Sequence, residues 1–336
     1  MTDFLGKYDT LIFDMDGVVT SESGYWDAAA LTVREFLTSK KYFGDSDIDT
    51  VSLSENVKAI RNEVFLGDKL ISLLKGKGVN SNWDLGYIMI LMALILDTDD
   101  AQKIYDFADS INEDIIVAYD TLARKAAKKT GALFSEYERN GKLWCEMQDC
   151  FQAWYLGDDM FMETYPNAPN TPNKPGLYKQ EQPIISLDEL KTVLCTLSAT
   201  KRLGIATGRL RREIVPLLEQ WGVLDCFDEN SLCTYDYVIT GEESMDTTLT
   251  KPHPYMFLKA LYGLDYDDKR IIDGDYDKSE IESTLIIGDA GADILAAHTM
   301  HADFCAVLTG VSGQDGRQYF EEQNSKYILN DIRDFL

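Results

Sequence analysis

The strongest constraint on the fold of this 336-residue chain is a set of short apolar runs that stop at a polar residue or a glycine. The first run ends at Asp14, and the others lie beyond residue 200. Apolar runs of this length are typical of buried parallel strands that carry polar residues at their carboxyl ends. The five predicted strands are Tyr8–Phe13, Arg202–Ala206, Tyr237–Thr240, Thr284–Gly288 and Phe304–Leu308.

Helical patterns separate the strands in the second half of the chain. Ser186 and Glu189 have the spacing of a capping box before the first of these helices. Because strands and helices alternate, the sequence predicts an α/β fold, a Rossmann-like doubly wound parallel sheet with helices on both faces. Ligands bind such sheets outside the carboxyl ends of the strands. The predicted helices are Leu187–Ala199, Leu210–Gln220, Tyr255–Tyr262 and Ile294–Met300.

The middle of the chain, from about residue 23 to 162, has no strand pattern. Long helical patterns fill it, and Ser52 with Glu55 predicts another capping box. The segment from Pro166 to Pro183 holds five of the eight prolines, which favours an irregular connector. The predicted helices of this region are Tyr25–Thr38, Glu55–Leu74, Trp83–Leu96 and Ala101–Lys129.

These patterns predict two domains. An α/β core is formed by residues 1–21 and 185–336, and an all-helical domain, residues 22–184, is inserted after the first strand. The proline-rich stretch at about 165–184 is the predicted linker that returns the chain to the core.

The charge balance excludes several classes of partner. The chain has 57 acidic and 32 basic residues and a net charge of -25, so we expect neither nucleic-acid nor membrane binding. The most apolar stretch, residues 86–96, is too short to span a bilayer. The N-terminus lacks a signal-peptide pattern, and the six cysteines contain no CxxC pair, so we expect reduced thiols in a cytoplasmic protein.

Two pairs of carboxylates follow predicted strands. Asp14 and Asp16 come after the first strand, and Asp289 and Asp293 come after the strand that ends at Gly288. Like charges beside an apolar core are costly unless a cation or a proton separates them. Hard oxygen ligands suit Mg²⁺. Each pair also has a plainer interpretation, because aspartates favour turns and the first turns of helices.

Two further residues are candidates for binding an anion. The hydroxyl of Thr207, at a strand end, and the amide of Gly208 could receive phosphate oxygens, although Thr207 could equally be a helix N-cap. Lys251 lies in a KPHP segment whose prolines stiffen the backbone, which suits a point charge aimed at a carboxylate or a phosphate. A lysine in a loop is otherwise a solvated lysine.

In chain order, these features resemble the four motifs of the haloacid dehalogenase-like hydrolase superfamily. The matching positions are Asp14 with Asp16, then Thr207, then Lys251, and then Asp289 with Asp293. The resemblance covers the α/β parts, and the helical insert corresponds to the cap domain of that family. It implies an enzyme of the phosphatase type, and a cap that closes over the substrate and selects the leaving group.

The resemblance also implies the role of each residue. Asp14 is the nucleophile that forms an aspartyl-phosphate, and Asp16 is the general acid and base. A Mg²⁺ ion is held by Asp14, the backbone carbonyl of Asp16 and Asp289, with Asp293 nearby. The phosphoryl group is bound by Thr207, Gly208 and Lys251, while Arg209 either reaches the phosphate or the cap or pairs with the acidic surface.

Several alternatives stay open beside the phosphatase. Sugar phosphomutases of this superfamily typically carry a histidine twelve residues after the nucleophile, where this chain has Trp26. Dehalogenase relatives lack the carboxylate that Asp16 provides. A non-catalytic phospho-acceptor or metabolite-binding protein would have no need of Asp16. The expected substrate is a small phosphorylated metabolite, and the sequence leaves the oligomeric state open.

Overall fold

The computed structural model describes residues 3–79, 81–165, 168–311 and 313–336. It contains two compact units, which we call the α/β unit (Met1–Glu22 with Glu181–Leu336) and the helical unit (Ser23–Gln180). Pro166, the first proline of the predicted linker, lies outside the described residues. None of the described helices is both long and apolar enough to cross a membrane.

The described part of the helical unit is built from nine α-helices around one apolar core. Within the last of them, Gly157 adopts a positive φ of 78° and kinks the helix. The helices are α1 (Ser23–Thr38), α2 (Thr50–Glu55), α3 (Val57–Val64), α4 (Lys69–Gly76), α5 (Asn82–Leu96), α6 (Ala101–Asp109), α7 (Ile115–Thr130), α8 (Phe134–Tyr137) and α9 (Lys142–Thr164).

Two of the predicted helices in this unit are wrong in extent. The segment Glu55–Leu74 is divided among α2, α3 and α4. Asn56 leaves the helical angles between α2 and α3. Three consecutive residues from Leu66 to Asp68 have positive φ angles, which no α-helix accommodates, and separate α3 from α4. The segment Ala101–Lys129 is likewise divided between α6 and α7. Apolar periodicity continues across such breaks, so it does not reveal them.

The predicted capping box at Ser52 and Glu55 is also wrong. The N-cap of α2 is Asp49, whose side chain accepts hydrogen bonds from the backbone N–H groups of Val51 and Ser52. Ser52 therefore lies inside the helix. Asp49 precedes the predicted pair by three residues and satisfies the free N–H groups of the first turn instead.

The α/β unit contains a six-stranded parallel sheet with the order β3-β2-β1-β4-β5-β6. This order confirms the predicted doubly wound fold. Four of the five predicted strands are present, with small differences in extent. The strands are β1 (Thr10–Phe13), β2 (Arg202–Ala206), β3 (Leu232–Cys233), β4 (Thr284–Gly288), β5 (Asp303–Val307) and β6 (Tyr327–Leu329).

The predicted strand Tyr237–Thr240 is wrong, because these residues belong to a helix. In this segment Val238 is buried while Ile239 is 41% exposed, so the four residues are not the uniformly buried run that a central strand requires. The third strand is instead Leu232–Cys233, only two residues long. A short apolar run cannot be assigned to strand or helix by periodicity alone.

Helices cover both faces of the sheet. Along β1, Leu11 and Phe13 join one apolar cluster, and Ile12 joins the cluster on the opposite face, as expected when successive side chains alternate. The predicted capping box of Ser186 and Glu189 is present at the start of α10. The helices are α10 (Leu187–Ser198), α11 (Arg211–Trp221), α12 (Tyr235–Met245), α13 (Tyr255–Tyr262), α14 (Asp268–Ile272), α15 (Ser279–Glu282), α16 (Gly291–Met300) and α17 (Arg317–Glu322).

Candidate active site

The candidate site lies at the carboxyl edge of the sheet, where the strand order reverses between β1 and β4. Asp14 directly follows β1, and Asp289 directly follows β4. The backbone N–H of Asp14 donates to the carbonyl of Ile287 over 2.8 Å, which fixes the register of the two strand ends. In doubly wound sheets this reversal point is where ligands bind.

Three carboxylates meet at this edge. One oxygen each from Asp14, Asp289 and Asp293 lies within 4.8 Å of the others. Asp293 is almost fully buried in the first turn of α16, and its carboxylate accepts a hydrogen bond from the N–H of Ala290 over 3.3 Å. The structure therefore brings together carboxylates from distant parts of the chain.

The carboxylates repel one another strongly. Burial raises the pKa of Asp14 to about 7, and Asp293 and Asp16 add to the rise, while Lys251 opposes it. Burial and the charges of Asp14 and Asp293 raise the pKa of Asp289 well above its ordinary value. A divalent cation would relieve this repulsion, and three hard oxygen donors fit Mg²⁺.

Lys251 supplies a positive charge to the same cluster. Its ammonium lies 2.6 Å from an oxygen of Asp14 and 2.8 Å from one of Asp293. Burial works against the charge on Lys251, but the two carboxylates outweigh it and raise its pKa. The side chain is only 14% exposed, so the alternative of a solvated loop lysine does not apply.

Thr207 follows β2, the strand next to β1, and is fully buried. Its hydroxyl accepts a hydrogen bond from the N–H of Arg209 over 3.2 Å. It is not a helix N-cap, because α11 begins at Arg211 with Leu210 in the cap position. The neighbouring Gly208 is exposed, with open space beside its Cα.

Asp16 is not one of the three clustered carboxylates. Its carboxylate accepts hydrogen bonds from Nε of Arg209 over 3.0 Å and from the hydroxyl of Thr20 over 2.9 Å. The guanidinium of Arg209 also binds Glu181, with Nη2 2.6 Å from a carboxylate oxygen. Sequence reasoning considered Arg209 for the phosphate, the cap or the surface, and it missed Glu181, which lies in the predicted linker without any motif.

Two glycines enclose the carboxylate of Asp289. A Cβ atom on Gly17, which has a φ of 75°, or on Gly310 would overlap Oδ2 of Asp289. The hydroxyl of Thr309 donates to the carbonyl of Gly17 over 2.5 Å and joins the two loops. The sequence gave neither glycine a role, because close packing around a side chain leaves no local pattern.

We expect Gly310→Ala to weaken Mg²⁺ binding about 10- to 100-fold, because the new methyl group displaces the Asp289 carboxylate from its position. The measurement is Mg²⁺ titration by calorimetry. Gly6→Ala is the matched control, since a Cβ atom at Gly6 meets no atom within 4 Å. Unchanged Mg²⁺ affinity in Gly310→Ala would show that Asp289 moves without cost.

Comparison with known proteins gives one family match and several similar solved structures. Residues 248–335 match a family model described as HAD-hydrolase-like. A solved structural-genomics target of no stated activity is 29% identical to the chain, with a TM-score of 0.82 over 98% of this chain and 97% of that one. The matched segment contains Lys251, Asp289 and Asp293, so this part of the chain is similar to the haloacid dehalogenase-like hydrolases.

A second solved structure with a similar fold is a phosphatase from Thermococcus thioreducens. It is 19% identical, with a TM-score of 0.50 over 88% of this chain and 90% of that one, a likeness that concerns the fold alone. No protein with a curated description matches the chain.

Proposed function

We propose that this haloacid dehalogenase-like protein is a Mg²⁺-dependent phosphatase that hydrolyses a small phosphorylated metabolite. The observation that carries the proposal is the cluster of Asp14, Asp289 and Asp293 with the ammonium of Lys251 within 2.8 Å of two of them. Such a cluster provides a nucleophilic carboxylate beside a site for a divalent ion.

The charges of the cluster match one divalent ion. Three ionised carboxylates and one ammonium leave two negative charges, which a single Mg²⁺ balances. Asp14, Asp289 and Asp293 would hold the ion, together with the backbone carbonyl of Asp16. When bound, it supplies positive charge that neutralises and orients the transferring phosphoryl group.

The protein's own residues perform the remaining steps. Asp14 attacks phosphorus, and its carboxylate oxygen forms the aspartyl-phosphate as the ester oxygen leaves. Asp16 donates a proton to that oxygen and then removes one from the water that hydrolyses the intermediate. The hydroxyl of Thr207, the amide of Gly208 and the ammonium of Lys251 bind the phosphoryl oxygens, which offsets the repulsion from a chain of net charge -25.

The helical unit is the proposed cap that selects the substrate. Trp26, which occupies the position where mutases carry a histidine, belongs to α1 of this unit and packs 4.7 Å from the guanidinium of Arg61. An indole ring does not titrate near neutral pH as an imidazole does. This substitution favours the phosphatase over the phosphomutase.

The test of the proposal is a panel of phosphate esters assayed for released phosphate, with Mg²⁺ and with EDTA. We expect hydrolysis with Mg²⁺ and none with EDTA. A protein that binds esters tightly but releases no phosphate under either condition would be the non-catalytic binder instead.

Mg²⁺ should also stabilise the folded protein. At one hundred times the Kd, the free energy of unfolding rises by about 2.7 kcal/mol. Without metal, the free energy of unfolding should fall as pH rises from about 4 to 7, because the raised pKa values of Asp14 and Asp289 let the folded state bind more protons than the unfolded state. The stabilisation by Mg²⁺ should therefore be larger at pH 8 than at pH 5, as thermal denaturation can show.

Asp289→Asn is the diagnostic variant for this effect. It removes one of the repelling carboxylates, so at pH 8 without metal the variant should be more stable than the wild type by on the order of 1 kcal/mol. It should also lose the response to Mg²⁺. Asp275→Asn, which changes only an exposed pair with Arg270, should keep that response. A wild-type response in Asp289→Asn would exclude this carboxylate as a ligand.

A further inference from the structure

Arg209 joins two carboxylates in one buried ionic network of the α/β unit. Its Nε and Nη2 lie 3.0 Å and 2.5 Å from Oδ1 of Asp16. Its Nη1 and Nη2 lie 3.1 Å and 2.6 Å from the two oxygens of Glu181. The side chains of Arg209 and Glu181 are each only 1% exposed, while that of Asp16 is 25% exposed.

The buried pair of Glu181 and Arg209 contacts Asp16, a carboxylate of the proposed active site. Both carboxylate oxygens of Glu181 accept hydrogen bonds from the planar guanidinium of Arg209. This bidentate contact fixes the orientation of the guanidinium as well as its position. The same guanidinium donates hydrogen bonds to the carboxylate of Asp16, which also accepts one from the Thr20 hydroxyl. Asp16 is therefore held from two sides.

A stabilising role alone does not explain this arrangement. Well-packed apolar residues are often as stabilising as a buried ion pair, so a buried pair beside a reactive group invites a functional explanation. Direct binding of phosphate by Arg209 is also disfavoured, because Nε, Nη1 and Nη2 all donate to carboxylates.

We propose that Glu181 and Arg209 are positioning residues, which hold the Asp16 carboxylate where it exchanges a proton with the leaving oxygen. Glu181 acts through Arg209 and touches neither the substrate nor the ion. The inference rests on the proposed function, because it presupposes that Asp16 is the general acid of a phosphatase.

Leaving-group dependence tests this role. An alkoxide leaving group needs a proton from Asp16, whereas p-nitrophenolate departs readily without one. For Glu181→Gln we expect kcat on β-glycerophosphate to fall on the order of 10²-fold, since small misplacements of a catalytic group have effects of that size. On p-nitrophenyl phosphate kcat should change by less than about threefold, with KM nearly constant for both substrates.

Two companion variants sharpen the test. Glu181→Asp keeps the charge and should recover part of the lost kcat on β-glycerophosphate. In an Asp16→Asn background, Glu181→Gln should cause no further loss on this substrate, because residues that act through one another are not additive.

The control is a second buried ion pair of similar exposure. In the helical unit Lys174 lies 3.1 Å from Glu35, and their side chains are 1% and 0% exposed. Glu35→Gln should lower stability without changing the ratio of the two kcat values. This separates a general loss of packing from a selective loss of acid catalysis.

The possible results are distinct. Equal losses of kcat on both substrates, or a higher KM with unchanged kcat, would overturn the positioning role and leave the phosphatase in place. If Glu181→Gln does not fold, Glu181→Asp decides the matter by the same ratio of kcat values. Absence of any turnover in the wild-type protein would instead overturn the proposed function, and the inference with it.

Discussion

Asp14→Asn should reduce kcat for phosphate ester hydrolysis by at least about 10⁴-fold, the scale at which loss of a nucleophile is felt in covalent catalysis. The amide cannot attack phosphorus, and it also removes the negative charge that pairs with Lys251 over 2.6 Å. Single-turnover assays with Mg²⁺ would measure the loss, and mass spectrometry of quenched wild-type enzyme would identify the aspartyl-phosphate. The variant should still bind the substrate.

Asp268→Asn is the matched control. Asp268 pairs with Lys259 over 2.5 Å in the same unit, and the lysine side chain is only 5% exposed. The two substitutions therefore each remove the carboxylate partner of a largely buried lysine. We expect Asp268→Asn to retain kcat within about twofold, since its pair has no role in the proposed mechanism and should contribute to stability alone. If Asp14→Asn retained a tenth of the wild-type rate, Asp14 would not be the nucleophile.

Lys174→Ala should destabilise the helical unit by about 3–5 kcal/mol, the usual cost of leaving a buried charge without its partner. Glu35 is completely buried, and its carboxylate binds Lys174 and accepts the indole N–H of Trp154 over 2.8 Å. Four of the five tryptophans lie in this unit, so fluorescence during chemical denaturation reports directly on its unfolding.

An exposed ion pair of the same unit provides the comparison. Lys129 lies 3.5 Å from Asp97, and their side chains are 48% and 83% exposed. Lys129→Ala should cost no more than about 1 kcal/mol, because solvent screens the attraction. Combining Lys174→Met with Glu35→Gln should recover part of the stability lost in Lys174→Ala, because no uncompensated charge remains. Equal losses in Lys174→Ala and Lys129→Ala would contradict the importance of the buried pair.

The central part of the fold is readable from the sequence because a buried parallel strand must be apolar and must end where the chain turns. The positions of Asp14 and Asp289 at strand ends are therefore predictable from the sequence alone. Because β1 and β4 are neighbours, the two carboxylates also meet. The chemistry proposed for the site rests on the same positions.

Other features depend on tertiary contacts that have no local pattern. Glu181 finds Arg209 only because the chain returns from the helical unit at that point, and Gly310 matters only because Asp289 packs against it. The error at Tyr237–Thr240 has a different cause. A run of four residues is too short to distinguish the period of a strand from that of a helix. Only the packing around it decides between the two structures.

The position of β1 in the sheet has a consequence for synthesis on the ribosome. Thr10–Phe13 emerges before the helical unit, whereas both of its neighbours, Arg202–Ala206 and Thr284–Gly288, are translated only after that unit. At ordinary elongation rates this apolar strand waits on the order of 10 s without a partner. The helical unit has its own core and can fold during that interval. Nascent chains halted before Arg202 should therefore be targets for chaperones that bind exposed apolar segments.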